Sequence, residues 1–171
     1  MDSFWPRRGQ LGSAALLVAV ALILLRPWEG GDEGGPAAVR ARVVRVVDGD
    51  TIAVRTGGRN EDVRYIGVDT PETVDPERPV QCFGHRAAAF NRHLVADRRV
   101  RLVFGAERRD AYGRLLAYVY IRHRFVNAEL LRRGLARTLA IAPNTHYQAV
   151  FARLELAAAR SGRGLWGSCR P

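Results

Sequence analysis

Three short apolar runs in the first part of the chain constrain the fold more than any other feature. Residues 42–47, 51–54 and 63–68 are rich in β-branched side chains, and turn-forming Gly, Asp and Asn residues separate them. This spacing predicts a three-stranded meander. Asp50 comes at the start of the second strand and Asp69 at the end of the third. Because those two ends can lie side by side in a meander, we expect the two carboxylates to converge.

The rest of the chain adds strands and helices to this meander. Residues 100–104 and 115–121 are two further strand candidates. Apolar residues recur on one helical face over residues 83–94, Asn127 is placed to cap a short helix, and a last helix follows Pro143. This order predicts an α+β, mainly β fold, in which a five-stranded OB-fold Greek-key barrel carries three helices packed outside.

The beginning of the chain has the composition of a leader and a linker. Two arginines precede an apolar run at residues 11–25, which has the length of a secretory core rather than of a full membrane span. No convincing cleavage site follows, so residues 1–28 are either a signal-anchor or a cleaved signal peptide. The charge before the run favours an extracytoplasmic domain, membrane-anchored or secreted. Residues 29–38 are predicted to be a flexible linker and residues 39–171 the folded domain.

Charge predicts the class of partner. All 27 basic residues are arginine, and the net charge is +10. Acidic residues outnumber arginines in the leader and linker, so the positive surplus lies in the folded domain. A polyanion, usually nucleic acid, is the expected partner, and a merely solubilising charge is the alternative. The hydrophobic content of 47% argues against a disordered chain.

The two cysteines lie near the first predicted helix and at the end of the chain. In an exported protein, an even pair such as Cys82 and Cys169 predicts a disulfide. The bridge would close a loop of nearly the whole domain, for which loop-closure entropy gives a stabilisation of about 4 kcal/mol. Two unpaired buried thiols are the alternative.

The acidic residues of the meander form a candidate metal and catalytic centre. Asp50 and Asp69, with the backbone carbonyl of Thr70, offer hard oxygen ligands to Ca²⁺ or Mg²⁺. Glu72 is close enough to Asp69 in sequence to hold a water beside the metal and to take its proton. A lone Asp-Gly-Asp sequence is most often a hairpin turn, so this hypothesis depends on the combination of residues.

Two arginines supply the positive charge that phosphodiester hydrolysis needs. The planar guanidinium groups of Arg64 and Arg114 suit the equatorial oxygens on which charge gathers in the transition state. In a regular strand, Arg64 and Asp69 point to opposite faces, so a convergent site requires a bulge or strong twist near Gly67. Tyr112 adjoins Arg114 and is expected in the substrate pocket, with packing of its own turn as the alternative.

At these residues the chain resembles the thermonuclease family of staphylococcal-nuclease-like proteins. The segments that carry the resemblance are 47–51, 64–72, 110–118, 126–127 with Leu130, 134–136, 144–146 and 164–166. The resemblance implies an OB-fold and Ca²⁺-dependent cleavage of DNA and RNA to products ending in 3′-phosphate. It also implies roles for particular residues: Asp50, Asp69 and the Thr70 carbonyl as calcium ligands, Glu72 as general base, Arg64 and Arg114 as phosphate ligands, and Asp48 as an acidic neighbour of the metal.

Two positions depart from the family pattern. Residues 139–142 lack the tyrosine pair of the family's nucleotide pocket, and Ala111 replaces a phosphate-holding lysine. Base preference and nucleotide affinity therefore stay open, since stacking on an aromatic ring contributes ~1–3 kcal/mol per base. The alternatives to an enzyme are a non-catalytic nucleic-acid-binding module and a surface protein for adhesion. The complete catalytic set favours the enzyme, an endonuclease. Its expected substrates are DNA and RNA, single strands more than duplexes, and the expected state is a monomer.

Overall fold

The computed structural model describes residues 38–73, 77 and 79–169. The chain separates into two compact units, Met1–Gly35 and Pro36–Pro171, and the described residues belong to the second. The predicted signal segment, and all but one residue of the predicted linker, lie outside the described residues. Within the described part of the chain, no helix is long and apolar enough to cross a membrane.

Five strands of the described domain close into a barrel. The described residues form eight strands in all: β1 (Ala38–Val46), β2 (Thr51–Thr56), β3 (Arg59–Tyr65), β4 (Gly67–Asp69), β5 (Arg99–Arg109), β6 (Leu115–Ile121), β7 (Arg124–Phe125) and β8 (Arg137–Leu139). Antiparallel pairing gives the order β3-β2-β1-β5-β6, and a parallel pairing of β3 with β6 closes the ring. The predicted five-stranded OB-fold barrel is confirmed.

Helices cover the outside of this barrel. They are α1 (Gly84–Val95), α2 (Val126–Arg132), α3 (Gln148–Arg160) and the single-turn α4 (Leu165–Ser168). The three longer helices match the three predicted ones. Helix α3 buries Phe151 and Ala158 against the domain, whereas Val150 is 38% exposed.

The barrel interior is filled by alternate residues of its strands. In β1, Ala41 and Val43 point inward and are almost fully buried, while the arginines between and beside them are exposed. Ile52, Val63 and Leu102 are each 0% exposed and join the same core. Burying a side chain of this size contributes roughly 1.5–3 kcal/mol, so the apolar alternation found in the sequence determines which face of each strand turns inward.

The third predicted strand is not continuous. β3 ends at Tyr65, and β4 begins at Gly67 and leaves the barrel to pair with β8. Gly67 has a φ of +78°, and a Cβ at this position would lie 2.5 Å from the ring of Phe151. Both the backbone conformation and the close approach of α3 therefore require glycine. The sequence-based prediction of a bend near Gly67 is confirmed, and the prediction of one unbroken strand is wrong.

Asn127 does not cap helix α2, contrary to the sequence-based prediction. Phe125 occupies the cap position without a side-chain cap hydrogen bond, and Asn127 lies buried in the first turn. Its amide nitrogen donates to the Ile66 carbonyl at 2.8 Å, and its oxygen accepts from the Val119 backbone N–H at 2.9 Å. The side chain therefore ties the break between β3 and β4 to strand β6.

A disulfide joins Cys82, just before α1, to Cys169, just after α4. The two residues are 87 positions apart, with an S–S distance of 2.05 Å. The predicted pairing is confirmed, and it attaches the end of the chain to the first helix.

Candidate active site

Asp50 lies immediately before β2 and is held by three hydrogen bonds. Its side chain is almost inaccessible, since the residue is 4% exposed. Oδ2 accepts from the backbone N–H of Thr70 at 2.7 Å and from its hydroxyl at 2.9 Å. Oδ1 accepts from the Thr51 hydroxyl at 3.1 Å. These donors fix the orientation of the carboxylate and offset part of the cost of burying its charge.

Arg64 joins Asp50 to Asp69. Its Nη1 lies 3.3 Å from Asp50 Oδ2, and its Nη2 donates to Asp69 Oδ1 at 2.8 Å. Nη1 also donates to the carbonyls of Tyr65 at 3.0 Å and Val68 at 2.6 Å, one on each side of the break between β3 and β4. The break therefore turns Asp69 toward the guanidinium. Asp50 and Asp69, which were predicted to converge, both contact the guanidinium of Arg64.

Two further carboxylates lie within electrostatic range of this group. Asp48 is buried, and its Oδ1 accepts from the Gly49 N–H and the Thr73 hydroxyl. Burial, and in addition the negative charges of Asp50 and Glu72, raise the pKa of Asp48 to about 6. Glu72 Oε1 accepts from the Thr73 N–H at 2.8 Å. The structure therefore gathers the acidic residues that the sequence singled out.

Asp69 is the most accessible member of the Asp50–Asp69 pair, with a side chain that is 55% exposed. Partial burial raises the pKa of Asp69, and the charges of Asp50 and Glu72 add to this effect, while Arg64 opposes it. The carboxylates of the site therefore repel one another, and an additional cation would relieve that repulsion.

The chemistry of these donors suits a hard divalent cation. Within the described residues, no three His, Cys, Asp or Glu side chains converge into a complete metal cage. Two carboxylates, from Asp50 and Asp69, and the carbonyl of Thr70 would leave the remaining positions to water. Both Ca²⁺ and Mg²⁺ accept such mixed oxygen ligands. The roles of these three residues as metal ligands stay predictions.

Arg114 is positioned by a single acidic residue, Asp110. Asp110 Oδ1 accepts from the backbone N–H groups of Tyr112 at 3.0 Å and Arg114 at 2.9 Å. Its Oδ2 accepts from Arg114 Nε at 2.7 Å and lies 2.7 Å from Nη2. One carboxylate therefore holds both the turn before β6 and the guanidinium that follows it.

Closure of the barrel brings the two arginines to one pocket. In the parallel pairing of β3 with β6, Arg64 is opposite Leu116, so Arg114, two residues earlier, lies on the same face. Both arginines line a concavity of about 340 Å³ together with Tyr112. The Arg114 guanidinium lies 5.4 Å from the Tyr112 ring centroid, and Tyr112 is 86% exposed. Asp50 and Asp69 connect to this pocket through Arg64.

The other walls of the pocket are aliphatic. Leu139 and Ile141 line it and are 39% and 60% exposed. Asn144 anchors this segment, because its Oδ1 accepts from the Glu107 N–H at 3.0 Å and its Nδ2 donates to the Glu107 carbonyl at 2.9 Å. Exposed apolar groups beside two cationic groups form a surface that suits a base and its phosphate.

Sequence reasoning missed the buried asparagines that support the site. Asn91 is 0% exposed; it donates to the Asp48 carbonyl at 2.9 Å and accepts from the Tyr65 hydroxyl at 2.9 Å. It therefore connects α1 to the acidic group. Asn91 comes four residues after Ala87, so it is a polar residue on the apolar face of the predicted helix. That position is the sequence pattern that indicates a buried, hydrogen-bonded side chain. Asn144 has no comparable signal, since its partner lies in a different element.

A model of the protein family described as staphylococcal nuclease homologue matches residues 62–168. The chain belongs to the staphylococcal nuclease family. The match includes Arg64, Asp69, Glu72 and Arg114.

Individual relatives extend this match along the chain. The thermonuclease of Staphylococcus intermedius is 37% identical over 166 residues, which are 92% of this chain and 98% of that protein. The thermonuclease of Staphylococcus hyicus is 34% identical over 165 residues, which are 91% of this chain and 98% of that protein. Endonuclease YncB of Bacillus subtilis (strain 168) is 44% identical over 131 residues, which are 75% of this chain and 62% of that protein. The resemblance found in the sequence motifs is confirmed.

Proposed function

We propose that this member of the staphylococcal nuclease family is an extracytoplasmic, Ca²⁺-dependent endonuclease that hydrolyses DNA and RNA to products ending in 3′-phosphate. The observation that carries the proposal is a pocket with two oriented arginines, one of which bridges a pair of carboxylates. Family membership, and relatives named thermonuclease and endonuclease, support the assignment to the nucleases.

The two arginines bind and orient the phosphodiester group. Arg64 and Arg114 have side chains that are 13% and 32% exposed, so their charges act with less screening than in open water. Backbone carbonyls and Asp69 hold Arg64, and Asp110 holds Arg114. Guanidinium groups that are already oriented stabilise the charge on the phosphoryl oxygens with little reorganisation during the reaction.

Glu72 acts as the general base. It accepts the proton of a water whose oxygen forms a bond to phosphorus, while the bond from phosphorus to the 5′ oxygen breaks. The departing 5′ oxygen takes up a proton from solvent, so the phosphate stays on the 3′ side. The hydrogen bond from the Thr73 N–H restricts the orientation of the Glu72 side chain.

Asp50, Asp69 and the carbonyl of Thr70 would hold the calcium ion, with Asp48 as an acidic neighbour. When bound, the ion shares the negative charge of the phosphate and helps to orient it. The three hydrogen bonds on Asp50 keep that carboxylate in place whether or not the ion is present.

The pocket shape favours a single-stranded substrate. A base can rest on Tyr112 and on the aliphatic wall of Leu139 and Ile141 only after it has left a double helix. The leader supports the extracytoplasmic location, and a disulfide is typical of an oxidising compartment. We propose a monomer, anchored through residues 11–25 or secreted.

Digestion of labelled single-stranded DNA and RNA tests this function. The full chain is incubated with Ca²⁺, with Mg²⁺ or with a chelator, beside Arg114→Ala and the control Arg153→Ala, an exposed arginine of α3. We expect Ca²⁺-dependent cleavage that Arg114→Ala slows at least about 100-fold and that Arg153→Ala retains. Salt-sensitive binding without cleavage under any metal would instead identify a non-catalytic binding module.

A further inference from the structure

Four arginines form a cluster on the outer wall of the barrel, outside the pocket described above. Arg42 of β1 pairs in register with Arg55 of β2 on one side and with Arg99 of β5 on the other. Arg40 lies two residues before Arg42, on the same face of β1. All four are exposed. We refer to Arg40, Arg42, Arg55 and Arg99 as the arginine ladder.

The arginine ladder lacks compensating charge within the described part of the protein. Several of the other described arginines, although not all of them, are paired or stacked: Arg109 with Glu61, Arg132 with Glu129, Arg101 over Tyr120, Arg108 over Phe104, Arg133 over Phe90 and Arg137 over Trp166. Among the described residues, no member of the ladder has an ion pair or lies over an aromatic ring. Like charges directly opposite each other in a sheet are destabilising, so the free protein carries a cost that a bound polyanion would offset.

The ladder also has a concave shape. All four arginines line a depression of about 250 Å³ at the β2–β3 hairpin, with the hairpin residues Gly57 and Gly58 on one side. Apart from each glycine's own neighbours in the chain, no atom of the described residues lies within 4 Å of where a Cβ would stand on either glycine, so this side is open to an extended ligand. A depression edged by guanidinium groups matches the phosphate oxygens of a polyanion.

We propose that the arginine ladder is a second binding site for the phosphodiester backbone of a long polynucleotide, separate from the pocket in which the bond is cleaved. This inference depends on the proposed nuclease function. Among the described residues that line the depression, Ala41 is the one with an apolar side chain, so the depression is a poor surface for lipid chains. A nucleic-acid substrate, by contrast, carries phosphates in a continuous row.

The separation of the two sites determines which substrates can reach both. Arg55 follows Asp50 by five residues, which corresponds to roughly 16 Å along an extended strand. A stacked strand rises about 3.4 Å per nucleotide, so roughly five stacked nucleotides cover this distance, and an unstacked strand covers it with fewer. A short oligonucleotide therefore uses the pocket alone, and a longer one also gains the contacts of the arginine ladder.

Two charge-matched triple variants of the full chain test the proposal. One is Arg42→Gln, Arg55→Gln and Arg99→Gln; the control is Arg92→Gln, Arg153→Gln and Arg160→Gln, which removes exposed arginines of α1 and α3. The substrates are a deoxydinucleotide and single-stranded DNA of about 24 nucleotides, below and well above the length that spans both sites. KM and kcat are measured with Ca²⁺ over a range of salt, and binding of the longer DNA is measured by fluorescence anisotropy with chelator present.

The ladder variant should bind long DNA more weakly and with less salt dependence. Each phosphate contact on a single strand contributes about 0.7 to the slope of log affinity against log salt, so three lost contacts lower the slope by about 2. When the salt concentration rises fourfold, the KM for long DNA should increase in both proteins. The factor of increase should be roughly 16 times larger for the native chain than for the ladder variant. The kcat values, and all constants for the short substrate, should not change. An equal effect in the control variant, or none in the ladder variant, would overturn the proposal.

Two further measurements distinguish a second polynucleotide site from a loss of stability and from a membrane-binding surface. The thermal midpoint of the ladder variant should equal or exceed that of the native chain, because opposed charges have been removed. Binding to phosphatidylserine vesicles that the ladder substitutions abolish, with DNA affinity unchanged, would overturn the proposal in favour of a membrane-facing surface. A native chain that cleaves nothing contradicts the proposed function, whereas a chain that cleaves DNA with an unaltered KM in the ladder variant contradicts only the second site.

Discussion

The substitution Asp110→Asn keeps the Arg114 side chain but removes the carboxylate that orients it. In the native protein, one carboxylate oxygen of Asp110 accepts from two backbone N–H groups of the turn, and the other accepts from the Arg114 guanidinium. An asparagine side chain keeps an oxygen for the turn, but its NH₂ group then faces the guanidinium, donor against donor. We expect the turn to remain folded and Arg114 to lose its fixed orientation.

The size of the effect follows from the contacts that are lost. A hydrogen bond to a charged group contributes about 1.5–3 kcal/mol, and partial exposure of Arg114 and Asp110 puts the value at the lower end of that range. A loss of about 1.5–2.5 kcal/mol in transition-state stabilisation lowers kcat roughly 13- to 70-fold. Removal of a whole transition-state donor costs about 100- to 1,000-fold, so Arg114→Ala should be more severe than Asp110→Asn.

The kcat values of the native chain, Asp110→Asn and Arg114→Ala are compared by steady-state cleavage of single-stranded DNA at saturating Ca²⁺. The control is Glu129→Gln, which removes one charge from a surface ion pair with Arg132 in α2. The control should retain native kcat, and circular dichroism should report a folded Asp110→Asn protein. If Asp110→Asn has native or higher kcat while Arg114→Ala is inactive, Asp110 does not orient Arg114 for catalysis, and the reasoning is refuted.

Three other changes test the fold and the metal site. Gly67→Ala should lower the free energy of unfolding by about 2–5 kcal/mol in urea titrations, because it combines a left-handed backbone with a clash against α3; an unchanged value would contradict this. Asp50→Asn and Asp69→Asn should each raise the Ca²⁺ concentration for half-maximal cleavage at least about tenfold, and an unchanged value would exclude that residue as a ligand. Replacing Cys82 and Cys169 by serine should cost about 4 kcal/mol of stability in the same titrations; a loss below about 1 kcal/mol would show that the bridge contributes little.

Local patterns in the sequence were sufficient to predict the barrel and the acidic group. Apolar runs separated by turn residues located the five barrel strands, and the parity argument for Arg64 and Asp69 predicted the bend that the structure places at Gly67. Both depend on the two-residue period of a strand, which is readable without knowledge of the partner strands.

Features that depend on distant partners were not predictable in this way. The second half of β5, which reaches Arg109, carries no apolar alternation. Its register with β6 shifts between Phe104 and Arg109, and Asn144 binds the Glu107 backbone in this stretch. Asn91 and Asn144 support the site through residues far away in sequence. The arginine ladder likewise exists only because the register of β1 places Arg42 between arginines of two other strands.

Isotope incorporation from heavy-oxygen water tests the central claim most directly, that this pocket catalyses attack of water on phosphorus with release of the 5′ oxygen. The native chain cleaves a defined single-stranded oligonucleotide with Ca²⁺ in the labelled water, and mass spectrometry locates the heavy oxygen. We expect one heavy oxygen in a 3′-terminal phosphate, an unlabelled 5′-hydroxyl on the other fragment, and formation of both products at least about 100-fold more slowly with Arg114→Ala. Label in a 5′-phosphate, or labelled products that form at the native rate with Arg114→Ala, would contradict the claim.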